Sequence, residues 1–115
     1  VVTLISLLRR KTGLTHEEFL TYWRNNHGPL IAASSAARYA RRYTQHPRAA
    51  GLGDETWDGV TIQEFDSVEA FHAHMAEDDF GAMMADLENF LDTSAIEWVV
   101  CDEPVVVLDG DGDPR

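Results

Sequence analysis

A single cysteine, Cys101, stands in 115 residues. A lone thiol excludes an intrachain disulfide and a cysteine-rich zinc site, and suits a reducing, cytoplasmic compartment. No apolar run approaches the roughly 18 residues of a membrane span, so a membrane is not expected; no signal-peptide pattern is visible, and a leader removed ahead of Val1 stays open. Glycine-rich phosphate loops and serine or cysteine nucleophile motifs are also missing. Metal-binding spacings are lacking too. His72 and His74 are two apart, about 200° around a helix, and are expected at a surface edge. "HEEF" from His16 lacks the second histidine of a zinc-protease helix, and "DGDGD" lacks the closing glutamate of a calcium loop. No metal and no cofactor is expected.

Basic residues almost vanish from the second half. Residues 1–53 hold eight Lys/Arg against Glu17 and Glu18, whereas residues 54–115 hold Arg115 against eighteen acids. The halves carry +6 and −17, which together give the net −11. Such a split favours the halves packing on each other or on a partner's opposite half, and the acidic half argues against nucleic acid.

What is present reads as one domain over residues 1–108 with an acidic tail at 109–115. "VVTLISLLRR" is a buried first strand, and Gly13 marks a turn. In "THEE", Thr15 and Glu18 form a capping box that opens a helix with Phe19, Leu20 and Trp23 on one face. Gly28-Pro29 is expected to end it, since proline cannot continue a helix. Residues 32–37 suit a short helical turn. "RYARRYTQH" is a second strand, with Tyr39, Arg41, Tyr43 and Gln45 on one side and Ala40, Arg42, Thr44 and His46 on the other. "WDGVTIQEF" is a third. "DSVE" starts another helix, with Asp66 as cap and Val68, Phe71 and Met75 as its buried stripe. A helical stripe from Phe80 to Leu91 follows, then "IEWVV" as a fourth strand, with "PVVVL" as its extension.

The order β-α-β-β-α-β is the ferredoxin-like α+β plait, with both helices on one face of a four-stranded sheet. The other face then needs cover, which argues for a homodimer closing over a cavity.

The wording of the chain is itself distinctive. "LLRRKTGLTHEEFLTYWRNNHGPLI", "RRYTQH", "WDGVTIQEFDSVEAF" and "ENFLD" closely resemble the EthD family of the dimeric α+β barrel superfamily, with Trp23, Arg24, His27, Gly28 and Pro29 as the most specific segment. The resemblance implies a homodimeric barrel with a lumen in each protomer. Its namesake belongs to an ether-degradation cluster. Relatives include dehydratases, cyclases and decarboxylases of aromatic polyketide pathways, and the superfamily adds isomerases and cofactor-free or haem-degrading monooxygenases. Fold alone does not select among these.

His27 continues the Phe19–Trp23 stripe, eight and four residues on. A stripe histidine can be a buried residue bonded to a carbonyl, or a base. At a helix C-terminus the macrodipole favours its protonated form and tends to raise its pKa. With the resemblance added, His27 is the expected proton-transfer group, with Tyr43 and His46 positioning or polarising substrate. Trp23, Tyr39 and Glu64 are the expected substrate-side residues. Tyr39 also suits a packing role, His46 a loop, and Glu64 a pair with Arg41 or Arg42 or an orienting contact to His27 or His46. Asp58 and Asp92 suit turns, and Cys101 is expected to be inert. The expected chemistry is acid–base cyclisation, dehydration or isomerisation of an aromatic or polyketide-like molecule. The alternatives are a cofactor-free or haem-dependent oxygenase, and a non-catalytic ligand-binding accessory protein.

Overall fold

The structure, a computed structural model, describes residues 1–110. Four strands, β1 (Val2–Leu8), β2 (Ala40–Pro47), β3 (Gly59–Phe65) and β4 (Glu97–Cys101), form one antiparallel sheet in the order β2-β3-β1-β4. That is the ferredoxin-like α+β arrangement. Register sets what each face carries. Leu4, Tyr43 and Gln63 lie side by side across β1, β2 and β3, as do Ser6, Gln45 and Thr61, and these side chains face the helices. Alternate residues, including Ile5, Leu7, Val60 and Ile62, face away and remain half-buried on the open side. Among the described residues no helix is long and apolar enough to cross a membrane.

Helix α1 (His16–Tyr22) starts as the sequence predicts. The Thr15 side chain accepts from the Glu18 N–H, and Glu18 reaches back to the Thr15 N–H. Its end differs from the prediction. Gly28-Pro29 does not stop the helix. The chain widens into a π-helical turn, Trp23–His27, and runs on as α2 (Gly28–Ala32). The Gly28 N–H bonds to the Trp23 carbonyl five residues back, so Pro29 falls at the start of α2, where no N–H is required.

Two apolar clusters anchor the helices. Phe19, Trp23, Phe90, Leu8, Leu20 and Leu91 form one; Ile31, Ala36 and Met83 form the other, with Tyr43 and Phe80 against it. Gly59 makes the first possible. A Cβ there would stand 2.6 Å from the Trp23 ring, so the indole can lie on β3 only over a glycine.

Helix α3 (Val68–Ala76) is capped by Ser67, whose side chain accepts from the Ala70 N–H, and not by Asp66. Its buried stripe differs accordingly. Val68 is 50% exposed and Met75 38%, while His74, expected at the surface, is only 4% exposed. The face toward the sheet runs through Phe71 and His74, three apart, and both rings pack on Phe65. The segment from Phe80 to Asn89 is α4 (Phe80–Asp86) and a 3₁₀ turn. Another 3₁₀ turn, Ser35–Tyr39, precedes β2.

Asp58 is a fully buried ionic hub instead of a simple turn residue. It accepts from the Arg10 N–H at 2.8 Å and the Arg10 guanidinium at 2.9 Å, and meets His16 Nδ1 at 2.7 Å and Arg48 at 3.4 Å. Asp92 does serve a turn, accepting from the Ser94 N–H and hydroxyl. Val105–Leu108 form no strand and are exposed, so "PVVVL" does not extend β4. Of the tail, residues 111–115 lie outside the described residues.

Candidate active site

A cavity of about 500 Å³ opens between the helices and the sheet. The uncovered sheet face led to an expected cavity closed by a partner on the opposite side; the protomer's own cavity is on the helix side. Leu4, Leu8, Ile31, Met83 and Phe90 supply much of its apolar wall, and His27, Tyr43 and His74 are its main proton-handling groups.

His27 is carried by the π-helical turn, one residue before the Gly28 bond that closes it. The residue is 5% exposed, and its ring lies 4.9 Å from the Phe90 ring. Nδ1 is 2.8 Å from Asp86 Oδ2. The other Asp86 oxygen accepts from the Tyr22 hydroxyl at 2.6 Å and from Asn89 at 3.0 Å. Burial opposes ionisation of Asp86, but the bonds from Tyr22, Asn89 and His27 outweigh it and hold its pKa below the usual value. An ionised carboxylate only accepts, so the imidazole proton is on Nδ1 and the lone pair on Nε2. Nε2 has no hydrogen-bond partner among the described residues, yet it is not sealed from solvent.

The His27 pKa moves opposite to the macrodipole expectation. It is lowered, because burial outweighs the hydrogen bond and the charge of Asp86. The premise fails as well, since helical backbone continues to Ala32 and His27 is no C-terminus. A neutral base at neutral pH results.

Tyr43 stands across from this pair on β2. Its hydroxyl accepts from Gln45 Nε2 at 3.1 Å, while the same amide donates to the Trp23 carbonyl at 2.9 Å. The Trp23 indole N–H lies near the Tyr43 hydroxyl but makes no hydrogen bond of normal geometry. Burial raises the Tyr43 pKa against the opposing pull of Gln45 and Trp23, so the phenol stays protonated. With its oxygen already accepting, its own hydrogen is free to donate into the cavity. Gly28 permits this layout, since a Cβ there would come within 3.2 Å of Gln45 Nε2.

Of the residues singled out from the sequence, Trp23, His27 and Tyr43 meet at the cavity. Three others lie elsewhere. His46 is exposed on the opposite face, bonded to Thr44 at 2.7 Å. Glu64 shares that face, opposite Arg42. Tyr39 ends a 3₁₀ turn, its hydroxyl accepting from Arg38 and its ring under that guanidinium at 4.9 Å. Sequence reasoning missed Asp86, Gln45 and His74. Asp86 had a signal: it falls inside the stripe Met83, Leu87, Phe90, where an acid needs a partner.

The EthD domain model matches residues 11–94. Among solved structures, an EthD family protein from Bacillus halodurans superposes with a TM-score of 0.71 at 18% identity, covering 90% of this chain and 98% of that one. A dimeric protein of ferredoxin-like fold from Bacteroides fragilis gives 0.67 at 19%, covering 89% and 95%. SnoaB, a cofactor-independent oxygenase from Streptomyces nogalater, gives 0.65 at 15%, covering 92% and 95%. No curated protein matches the chain. Those structural likenesses agree with the fold, and the domain match spans the π-helical turn, Asp86 and the strands between: the chain belongs to the EthD family.

Proposed function

We propose that the chain is a small-molecule enzyme that moves protons next to a carbonyl group of an aromatic or polyketide-like substrate. One observation carries this reading: Asp86 bonds His27 Nδ1 and leaves Nε2 without a partner among the described residues, and His27 and Tyr43 line the same apolar cavity. Nε2 takes a proton from the carbon beside the carbonyl, and the electron pair moves onto the carbonyl oxygen. Tyr43 donates a hydrogen bond to that oxygen as charge develops. Asp86 stabilises the imidazolium, which returns the proton at another atom and so completes an isomerisation, cyclisation or dehydration. Neither metal nor cofactor is needed for these steps.

A second reading shares the first step. In a cofactor-free oxygenase the carbanion passes electrons to dioxygen, and an apolar wall would shield it from water. Likeness to SnoaB supports this version. The half-buried apolar face of Ile5, Leu7, Val60 and Ile62 supports a homodimer formed sheet to sheet, as does the dimeric relative.

The test uses 2-tetralone in deuterium oxide. Wild-type protein accelerates exchange of the protons beside the ketone, and His27→Asn, which can keep the Asp86 bond, does not. Equal exchange by both proteins removes His27 as base. Oxygen uptake during turnover selects the oxygenase version.

A further inference from the structure

His74 lines the same cavity and takes no part in the chemistry above. Its Nδ1 is 2.8 Å from the Ala36 carbonyl oxygen, and its ring packs against Phe65 at 5.1 Å and edge-on to Phe80 at 5.5 Å. A carbonyl only accepts, so Nδ1 carries the proton and Nε2 the lone pair. Tethering the 3₁₀ turn to α3 accounts for Nδ1 alone. Nε2 has no partner among the described residues and, like that of His27, is not sealed from solvent. A ligand that covers such a lone pair without offering it a donor leaves it bare, at a cost.

Helix α4 separates the two imidazoles. His74 packs on Phe80 at its start, and His27 bonds Asp86 at its end, a span of roughly 10 Å for seven residues. Tyr43 pairs with Gln63, one row along β3 from Phe65 beneath His74, and Gln45 ties its hydroxyl to the carbonyl of Trp23 on the His27 turn, so it lies on the sheet between them. The cavity therefore has an acceptor at each end and a donor in the middle.

We propose that His74 is a second ligand-binding residue, whose Nε2 accepts a hydrogen bond from a ligand hydroxyl remote from the atom held by His27. The inference rests on the cavity being the ligand site. It specifies a two-ended, hydroxylated ligand of fused-ring size.

Binding of naphthalene, 2-naphthol and the 2,6- and 2,7-dihydroxynaphthalenes is compared in wild type, His74→Asn and His74→Gln. Asparagine places its NH₂ near Nδ1 and keeps the tether; glutamine reaches the position of Nε2. In wild type, one diol binds about fivefold tighter than 2-naphthol. That gain disappears in His74→Asn, at an unchanged melting temperature, and returns in His74→Gln. Survival of the gain in His74→Asn, or no gain in wild type while 2-naphthol binds, overturns the role of His74 and leaves the cavity reading standing. No binding by any of the four overturns both. Independently, the ¹⁵N resonance of His74 Nε2 in the wild type shifts on adding the diol; an unmoved resonance also overturns the proposal.

Discussion

Asp86 Oδ2 and His27 Nδ1 are joined by a 2.8 Å hydrogen bond across 59 residues of chain. It fixes which imidazole nitrogen holds the proton, and that decides what the cavity can do. Asp86→Asn offers an amide that can turn its NH₂ to Nδ1 and move the proton to Nε2. Activity should fall about a hundredfold or more, with KM little changed. The amide also loses charge-assisted bonds from Tyr22 and His27, costing about 1–3 kcal/mol in urea unfolding.

The pH dependence has a definite sign. The His27 pKa in the fold lies below its ordinary 6.5, so between the two values the unfolded chain binds more protons. Stability is therefore full above about 6.5 and is lost as pH falls through that window. Asp86 and Asp58, both lowered, add a further loss as pH falls through their folded values, below about 4. Unfolding free energies at pH 7, 5.5 and 3.5 should decrease in that order. Turnover should show an acid limb centred below 6.5 and a plateau through neutral pH; a limb centred above 6.5 would restore the macrodipole reading.

Tyr43→Phe keeps the ring and removes the only hydroxyl that Gln45 holds toward the cavity. It should lower kcat about 10- to 100-fold and leave the melting temperature within a few degrees. An undiminished kcat would assign carbonyl polarisation to another group.

Gly59→Ala brings a methyl to 2.6 Å from the Trp23 ring and 3.1 Å from the His46 carbonyl. The indole must leave β3 or the strand must shift, costing about 1–3 kcal/mol. Because Trp23 also lines the cavity, ligand affinity should fall with stability.

Asp58→Ala separates fold from site. It leaves Arg10, Arg48 and His16 without their shared buried partner, at a cost of about 3–5 kcal/mol. Where the variant remains folded, its turnover should match wild type, since Asp58 does not line the cavity.

Much of the architecture was legible because it rests on local rules. Strand alternation, the Thr15–Glu18 box and the β-α-β-β-α-β order need no tertiary knowledge, but a bulge between Ala40 and Arg42 breaks the expected alternation at the start of β2, setting Ala40 opposite Phe65 and Arg42 opposite Glu64. Pro29 misled because its missing N–H can be met in two ways, by a stop or by a π-turn, and the chain takes the second, with Trp23 at the start of the turn packed over Gly59. His74 misled because moving the cap from Asp66 to Ser67 accompanies a different buried face. His27 and Tyr43 line the cavity, His27 on the stripe that Phe19 and Trp23 begin and Tyr43 on the helix-facing side of β2. Asp86 was not linked to His27, since a partner 59 residues away is fixed by the packing of α4 and not by any spacing in the sequence.

The central claim is that His27 is a neutral base, with its lone pair on Nε2 facing the ligand. A ¹H–¹⁵N long-range correlation spectrum of histidine-labelled protein tests it most directly, at pH 7 with and without 2-tetralone. The account predicts a protonated Nδ1, a bare Nε2, and a shift of the Nε2 resonance on adding the ketone. A His27 proton on Nε2, or on both nitrogens, or an Nε2 resonance that ignores the bound ketone, would contradict it.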